Sequence, residues 1–318
     1  MRVAVTGATG FIGNAVFREA QARGHEVVAL HRGACPAGAD PQCWRRFDAW
    51  LHGTDHVDVV VHAAALRHRH GIRPDEYATV NVALTQSVLD RAIRGGTERF
   101  VHISSISVYG WPPRDRLPID ESFPFNPTGP YGESKVKTER LVMGAPIPWT
   151  IVQPSITYGP GDTNGMIDKM VRMIARHSFV LPGLGRTRVQ LVYIDDLARI
   201  TLSAAEARSA IGGRFICTYA EPIRVGDLVR CIARSVHGHV LPIGLPTSLM
   251  RLVATGFEAM DRVGAFAGRE PPLTREKLAT ISVDRAYRID TMRKLLGTEP
   301  HVGYAEGLAR TAQAMNLA

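Results

Sequence analysis

The chain has 318 residues, 45% hydrophobic and 21% charged, with no low-complexity run, which excludes a disordered or fibrous protein and allows one large α/β body plus a smaller lobe. Its formal net charge of +8 is scattered apart from the run Arg67, His68, Arg69, His70, so a phosphate-bearing cofactor or substrate is a simpler partner than a nucleic acid. Four cysteines without C-x-x-C or His-rich spacing exclude a disulfide scaffold and leave no metal site written in the sequence; a reducing, cytoplasmic setting is expected.

Met1-Arg2-Val3-Ala4-Val5 enters a strand directly, without the charged leader and cleavage pattern of a secretion signal. Short β-branched runs predict buried strands at 2–6, 26–30, 58–62, 99–104 and 149–153, with a weaker one at 44–47 and a further one at 214–218. Helical patterns fall between them at 13–23, 74–94 and 131–143. This alternation predicts an α/β fold, a Rossmann-type doubly wound parallel sheet with a smaller C-terminal substrate-binding lobe. The dinucleotide-binding domain is expected at 1–157 with returning segments about 190–220, and the lobe at 158–189 and 221–318. The most apolar late segment, 241–260, is broken by Pro242, Pro246, Arg251 and Glu258, so it cannot supply about 20 uninterrupted apolar residues for a membrane span. It is read either as core or as the lining of an apolar pocket.

Between the first strand and first helix stands Thr6-Gly7-Ala8-Thr9-Gly10-Phe11-Ile12-Gly13, the context that turns a glycine pattern into a dinucleotide site. Gly7 permits the tight turn, Gly10 the approach of backbone N–H groups to a pyrophosphate, and Gly13 the packing of helix on sheet; Thr9, Phe11 and Ile12 complete the loop. The helix N-terminus adds partial positive charge. The second strand ends Ala29-Leu30-His31-Arg32-Gly33, without the carboxylate that binds an adenosine ribose hydroxyl. A cation there can hold a 2′-phosphate, so NADP(H) is expected over NAD(H), with Arg32 and His31 responsible.

Further on, Tyr131-Gly132-Glu133-Ser134-Lys135 puts a phenol and an ammonium on one helix face, about one turn apart. A nearby cation stabilises a phenolate, so Lys135 is expected to lower the Tyr131 pKa and let Tyr131 exchange a proton with an alcohol or carbonyl. The strand at 99–104 runs into Ser104-Ser105-Ile106-Ser107-Val108-Tyr109-Gly110, which leaves Ser105 at a strand end where it can hold a substrate oxygen. Taken singly, each is a common feature of turns or exposed helices.

These stretches, with HAAA at 62–65, Asn81-Val82, PSITYGPGD at 154–162, LVYIDDLAR at 191–199 and RIDTMRKLLG at 288–297, resemble the extended short-chain dehydrogenase/reductase family over nearly the whole chain. The style is nearest to the branch of 3β-hydroxysteroid dehydrogenases and dihydroflavonol reductases. The resemblance implies that Ser105, Tyr131 and Lys135 are catalytic, that Lys135 also holds the nicotinamide ribose, and that His62, Ala63, Ala64, Asn81 and Pro154 line the cofactor cleft. Asn81 reads equally as a structural hydrogen-bonder. The family also implies a small-molecule substrate, and a homodimer through helices flanking Tyr131 is one partner it allows. Two departures stand out. Gln153-Pro154 replaces the Arg-Pro of many relatives, which removes a cation near the cleft, and Arg188 lies one place too early for the arginine usual in nucleotide-sugar enzymes, where Val189 stands instead. The leading expectation is therefore hydride transfer between NADP(H) and a secondary alcohol or ketone of an apolar small molecule. A nucleotide-sugar epimerase or dehydratase is the alternative, and a non-catalytic dinucleotide-binding sensor or assembly protein the third reading.

Overall fold

The computed structural model describes every residue except 34, 36–39, 41, 68–70, 164, 184, 239–243, 267–270 and 318. Of the basic run, His68, Arg69 and His70 thus lie outside the described residues, as do Pro242 and the start of the apolar segment. Seven strands form one parallel sheet: β1 (Arg2–Thr6), β2 (Glu26–His31), β3 (Trp44–Arg46), β4 (Val59–His62), β5 (Arg99–Ile103), β6 (Trp149–Pro154) and β7 (Gly213–Cys217). Their order is β7-β6-β5-β4-β1-β2-β3, each pair parallel. The strands are apolar on both sides because both faces are covered. Val3, Val5, Val59 and Val61 pack with the helices Phe11–Ala22 and Ile194–Glu206, while Ala4, Val60, Phe100 and Ile151 pack with Phe47–His52, Ala83–Arg94 and Pro130–Met143. The order reverses between β1 and β4, so a crevice opens beyond their carboxyl ends, where doubly wound sheets bind ligands.

The helical run expected at 74–94 forms, but it is not uniform. A π-helical turn, Ala78–Val82, joins Pro74–Tyr77 to Ala83–Arg94. Such a turn widens the helix by one residue and re-aims a side chain, here Asn81. The first helix starts at Phe11, two residues before expectation, with Gly10 as its N-cap. In the C-terminal part, helices Met166–Ala175, Val225–Ser235 and Tyr304–Ala314 bury Ile167, Leu228 and Leu308 in the same core that covers one sheet face. Helix Asp290–Leu296 packs on β7. Most of the late apolar segment becomes helix Thr247–Arg262, which buries Met250 and Ala254 but exposes Leu249, Leu252, Val253 and Met260. Among the described residues no helix is long and apolar enough to cross a membrane.

Candidate active site

Beyond the carboxyl ends of β1, β4 and β5 lies a cavity of about 480 Å³. The glycine turn forms one wall. Gly7 has φ +70°, and a Cβ on it would fall 2.9 Å from the Cα and N of Ala64, so turn and β4 exit abut backbone to backbone. A Cβ on Gly13 would sit 2.2 Å from the Gly7 carbonyl oxygen. The N–H of Gly10 donates to that same oxygen at 2.8 Å, and the Thr6 hydroxyl accepts the Ala64 N–H at 3.1 Å. Helix Phe11–Ala22 opens onto the cavity with no side-chain cap and no acidic residue in its first turn, which leaves its first N–H groups for an anion. Gly7, Thr9, Gly10, Phe11, Ile12, Gly13, Ala63, Ala64 and Pro154 all line this space.

Ser105, Tyr131 and Lys135, separated by up to 30 residues in sequence, line it too. Helix Pro130–Met143 reaches the turn at Ser105 because residue 132 is glycine, whose Cβ would meet the Ser107 carbonyl at 2.8 Å. The Ser105 and Tyr131 side chains face the same cavity, and Ser105 Oγ accepts the Ser107 N–H at 3.1 Å. Lys135 is buried, with Nζ donating to the Ile103 carbonyl at 2.8 Å at the end of β5. Burial pushes its pKa down to about 8, opposed by the charge of Glu139. The phenol departs from expectation. Burial raises the Tyr131 pKa, the Ser105 hydroxyl and the Arg67 charge pull it back, and Lys135, whose Nζ donates to the Ile103 carbonyl, is not among the groups that lower it.

Three sequence-selected residues stand behind the cavity rather than in its wall. His62 is buried, bonded to Thr6 Oγ1 at 2.8 Å and Thr85 Oγ1 at 3.0 Å, and stacked on His102 with ring centroids 5.5 Å apart. Burial, and then the Lys135 charge, push its pKa down to about 3, so the ring is neutral. Asn81 Oδ1 accepts the Leu66 N–H at 2.6 Å while Nδ2 donates to the Leu66 carbonyl at 3.3 Å and to Ser134 Oγ at 3.0 Å. It ties the β4 exit loop to the helix of Tyr131. His31 is turned inward, Nδ1 to the Gly33 carbonyl at 2.8 Å, whereas Arg32 and Gly33 line the cavity. Arg67 was not singled out as a site residue, yet it lines the cavity, pairs with Asp162 at 3.2 Å and acts on the Tyr131 phenol. Its sequence signals are its place at the head of the basic run 67–70 and two residues after HAAA.

Residues 3–217, from β1 to the end of β7, match the profile of the NAD dependent epimerase/dehydratase family. The chain belongs to that family. Among its relatives, a 2-alkyl-3-oxoalkanoate reductase of Stenotrophomonas maltophilia (strain K279a) is 28% identical, with 98% of each chain covered. A 3 beta-hydroxysteroid dehydrogenase/Delta 5-->4-isomerase of Mycobacterium tuberculosis (strain ATCC 25618 / H37Rv) is 28% identical over 94% of this chain and 86% of that one. In three dimensions the fold is shared with UDP-glucuronic acid 4-epimerase from Bacillus cereus, solved in complex with NAD, at a TM-score of 0.78 and 21% identity over 99% of this chain and 96% of that chain.

Proposed function

We propose that the chain is an oxidoreductase that moves a hydride between NADP(H) and a secondary alcohol or ketone of an apolar small molecule, with Ser105, Tyr131 and Lys135 as its catalytic residues. The observation that carries this reading is that Ser105, Tyr131 and Lys135 line the one cavity that the glycine turn also walls.

The residues present fit the cofactor. The turn leaves no room for a Cβ at Gly7 or Gly13, and an uncapped helix N-terminus faces the cavity beside it. Gly7 to Gly13 would hold the pyrophosphate, Arg32 the 2′-phosphate, and Lys135 the nicotinamide ribose, with Ala63, Ala64 and Pro154 along the cleft. When bound, the nicotinamide supplies or accepts the hydride. The chain does the rest. Ser105 Oγ–H donates to the substrate oxygen and fixes its place, and in reduction Tyr131 gives that oxygen its phenolic proton as negative charge gathers there. A phenol whose pKa is raised by burial stays protonated at neutral pH, which suits a proton donor. Ser105 and Arg67 then stabilise the phenolate that is left.

A nucleotide-sugar epimerase or dehydratase would use the same residues. Strand parity favours the first reading. Val189, at the position of the sugar enzymes' arginine, is fully buried in the core, and Arg188 is exposed on the other side of the strand. Relatives named for alkyl oxoalkanoate and steroid chemistry support an apolar substrate. The test is to supply NADPH with a panel of apolar ketones and UDP-sugars and to follow cofactor oxidation and product. Net oxidation with ketones supports the proposal; sugar turnover without net cofactor change replaces it with the alternative. Tyr131→Phe should retain NADPH affinity and lose about 10²- to 10⁴-fold in turnover. Full turnover in that variant refutes the role of Tyr131, and no turnover by wild type leaves the sensor reading.

A further inference from the structure

A second cavity, of about 420 Å³, shares no lining residue with the first. Arg114, Arg186, Arg188, Arg224 and Arg285 line it, and Asp284 is its one carboxylate. That carboxylate is already engaged. Asp284 Oδ1 accepts the Arg188 N–H at 2.7 Å, and Oδ2 pairs with Arg114 at 3.0 Å. Among the described residues, the side chains of Arg186, Arg188 and Arg224 have no ion pair or hydrogen bond, and Asp227, at the start of the next helix, is paired with Arg230.

Two features make this more than a solvated basic surface. Arg188 and Arg224 stand directly opposite each other in the antiparallel pair Arg188–Val189 and Ile223–Arg224. Like charges in register across two strands repel, and among the described residues neither guanidinium is ion-paired, although Asp284, Glu221 and Asp227 lie nearby. Arg285 is only 8% exposed and has no carboxylate partner among the described residues; its guanidinium lies over the Trp111 ring, 5.0 Å from the centroid, and donates to the Thr280 carbonyl. Its backbone N–H donates to the Arg188 carbonyl at 2.9 Å, so the buried arginine and the facing pair are locked to one another. Burying an unpaired cation and opposing two more costs free energy that a bound anion returns.

We propose that this cavity binds a small phosphate-bearing molecule, a diphosphate or phosphate ester, through Arg188, Arg224 and Arg285, as a ligand distinct from the dinucleotide. The concave shape and the volume suit a small solute rather than a bilayer or a nucleic-acid backbone, which ask for an extended basic face. This site goes beyond hydride transfer and does not depend on it.

Inorganic pyrophosphate is the probe, titrated calorimetrically into the full chain with and without saturating NADPH, so that the glycine turn is filled in one arm. One pyrophosphate should bind with NADPH present, and R188Q/R224Q should weaken it about 100-fold, since a charged hydrogen bond is worth roughly tenfold or more. NADPH affinity of the variant should be unchanged, which also reports folding. Arg285→Lys, which keeps the charge and loses the planar fork, should weaken binding less than the double variant. No pyrophosphate binding with NADPH present, equal binding by wild type and R188Q/R224Q, or arginine-dependent binding only to anionic vesicles or an oligonucleotide would each overturn the proposal. Absence of ketone turnover with pyrophosphate binding intact would bear on the hydride reading alone.

Discussion

Gly13→Ala isolates the contact on which the dinucleotide wall is built. The added methyl would lie 2.2 Å from the Gly7 carbonyl oxygen, 2.5 Å from its carbon and 3.0 Å from the Ala8 nitrogen, all backbone atoms. Ordinary contact begins near 3.4 Å, so helix and turn must separate by more than about 1 Å. Gly7 has little room to retreat, because even a Cβ on it would fall 2.9 Å from the Ala64 backbone. The displacement therefore falls on residues 7–10, of which Gly7, Thr9 and Gly10 line the cavity. Overpacking of this kind costs about 1–3 kcal/mol of stability. Each phosphate hydrogen bond pulled out of line should weaken NADPH about 10- to 100-fold. Gly24→Ala is the control: with φ +76° and nothing within 4 Å of its Cβ position, it strains the backbone by about 1–2 kcal/mol far from the cavity. Thermal melts and fluorescence titration with NADPH should show both variants destabilised and only Gly13→Ala weak in binding. If Gly13→Ala binds NADPH as tightly as Gly24→Ala does, the close approach of helix and turn is not what shapes the site.

Arg32→Ala should lower the NADP(H) over NAD(H) ratio of kcat/KM about tenfold or more; an unchanged ratio removes Arg32 from cofactor choice. Lys135 yields a stability test. Its folded pKa of about 8 lies below its ordinary 10.5, so between those values the unfolded chain holds a proton that the folded chain has released. Stability from this site thus rises with pH through that window, by about 3 kcal/mol. Denaturation of wild type and Lys135→Met at pH 7.5 and pH 10.5 should show wild type gaining on the variant by that order, and parallel curves would mean that burial does not depress the ammonium.

Local patterns were the legible part. The glycine turn, the Tyr131 and Lys135 pair and the buried strands each depend on spacings of a few residues, and these survive in the linear sequence because helix and strand periods are fixed. What escaped depends on partners far along the chain. His62 reads as a cleft residue beside two alanines, but in a strand alternate side chains face opposite ways, and Thr6 and Thr85 claim its ring. Asn81 sits in a π-helical turn that no periodicity announces, and its bonds reach back to Leu66. Arg67 becomes part of the cavity only because Asp162, 95 positions later, anchors its guanidinium.

Gln153 shows how a departure in sequence is absorbed by the fold. Its replacement of the usual arginine looked like a lost cation, yet β7 lies beside β6 and brings Arg214 within 3.5 Å of the buried Glu139 carboxylate. Gln153 Nε2 donates to both oxygens of that carboxylate, at 2.9 and 3.1 Å, Ser104 donates to one of them, and Tyr109 donates to Gln153 Oε1 at 2.8 Å. Burial still raises the Glu139 pKa, against the pull of Ser104, Gln153, Arg214 and Lys135. Glu139 lies one helical turn beyond Lys135 and is the one carboxylate opposing the burial cost of that ammonium. Removing Glu139 would leave the buried Lys135 ammonium without its opposing charge, and removing Gln153 or Ser104 would take hydrogen bonds from a buried carboxylate. The floor beneath Ser105 and Lys135 is thus held by charge pairing across two strands and a helix, and the cation missing from position 153 has moved one strand over to Arg214.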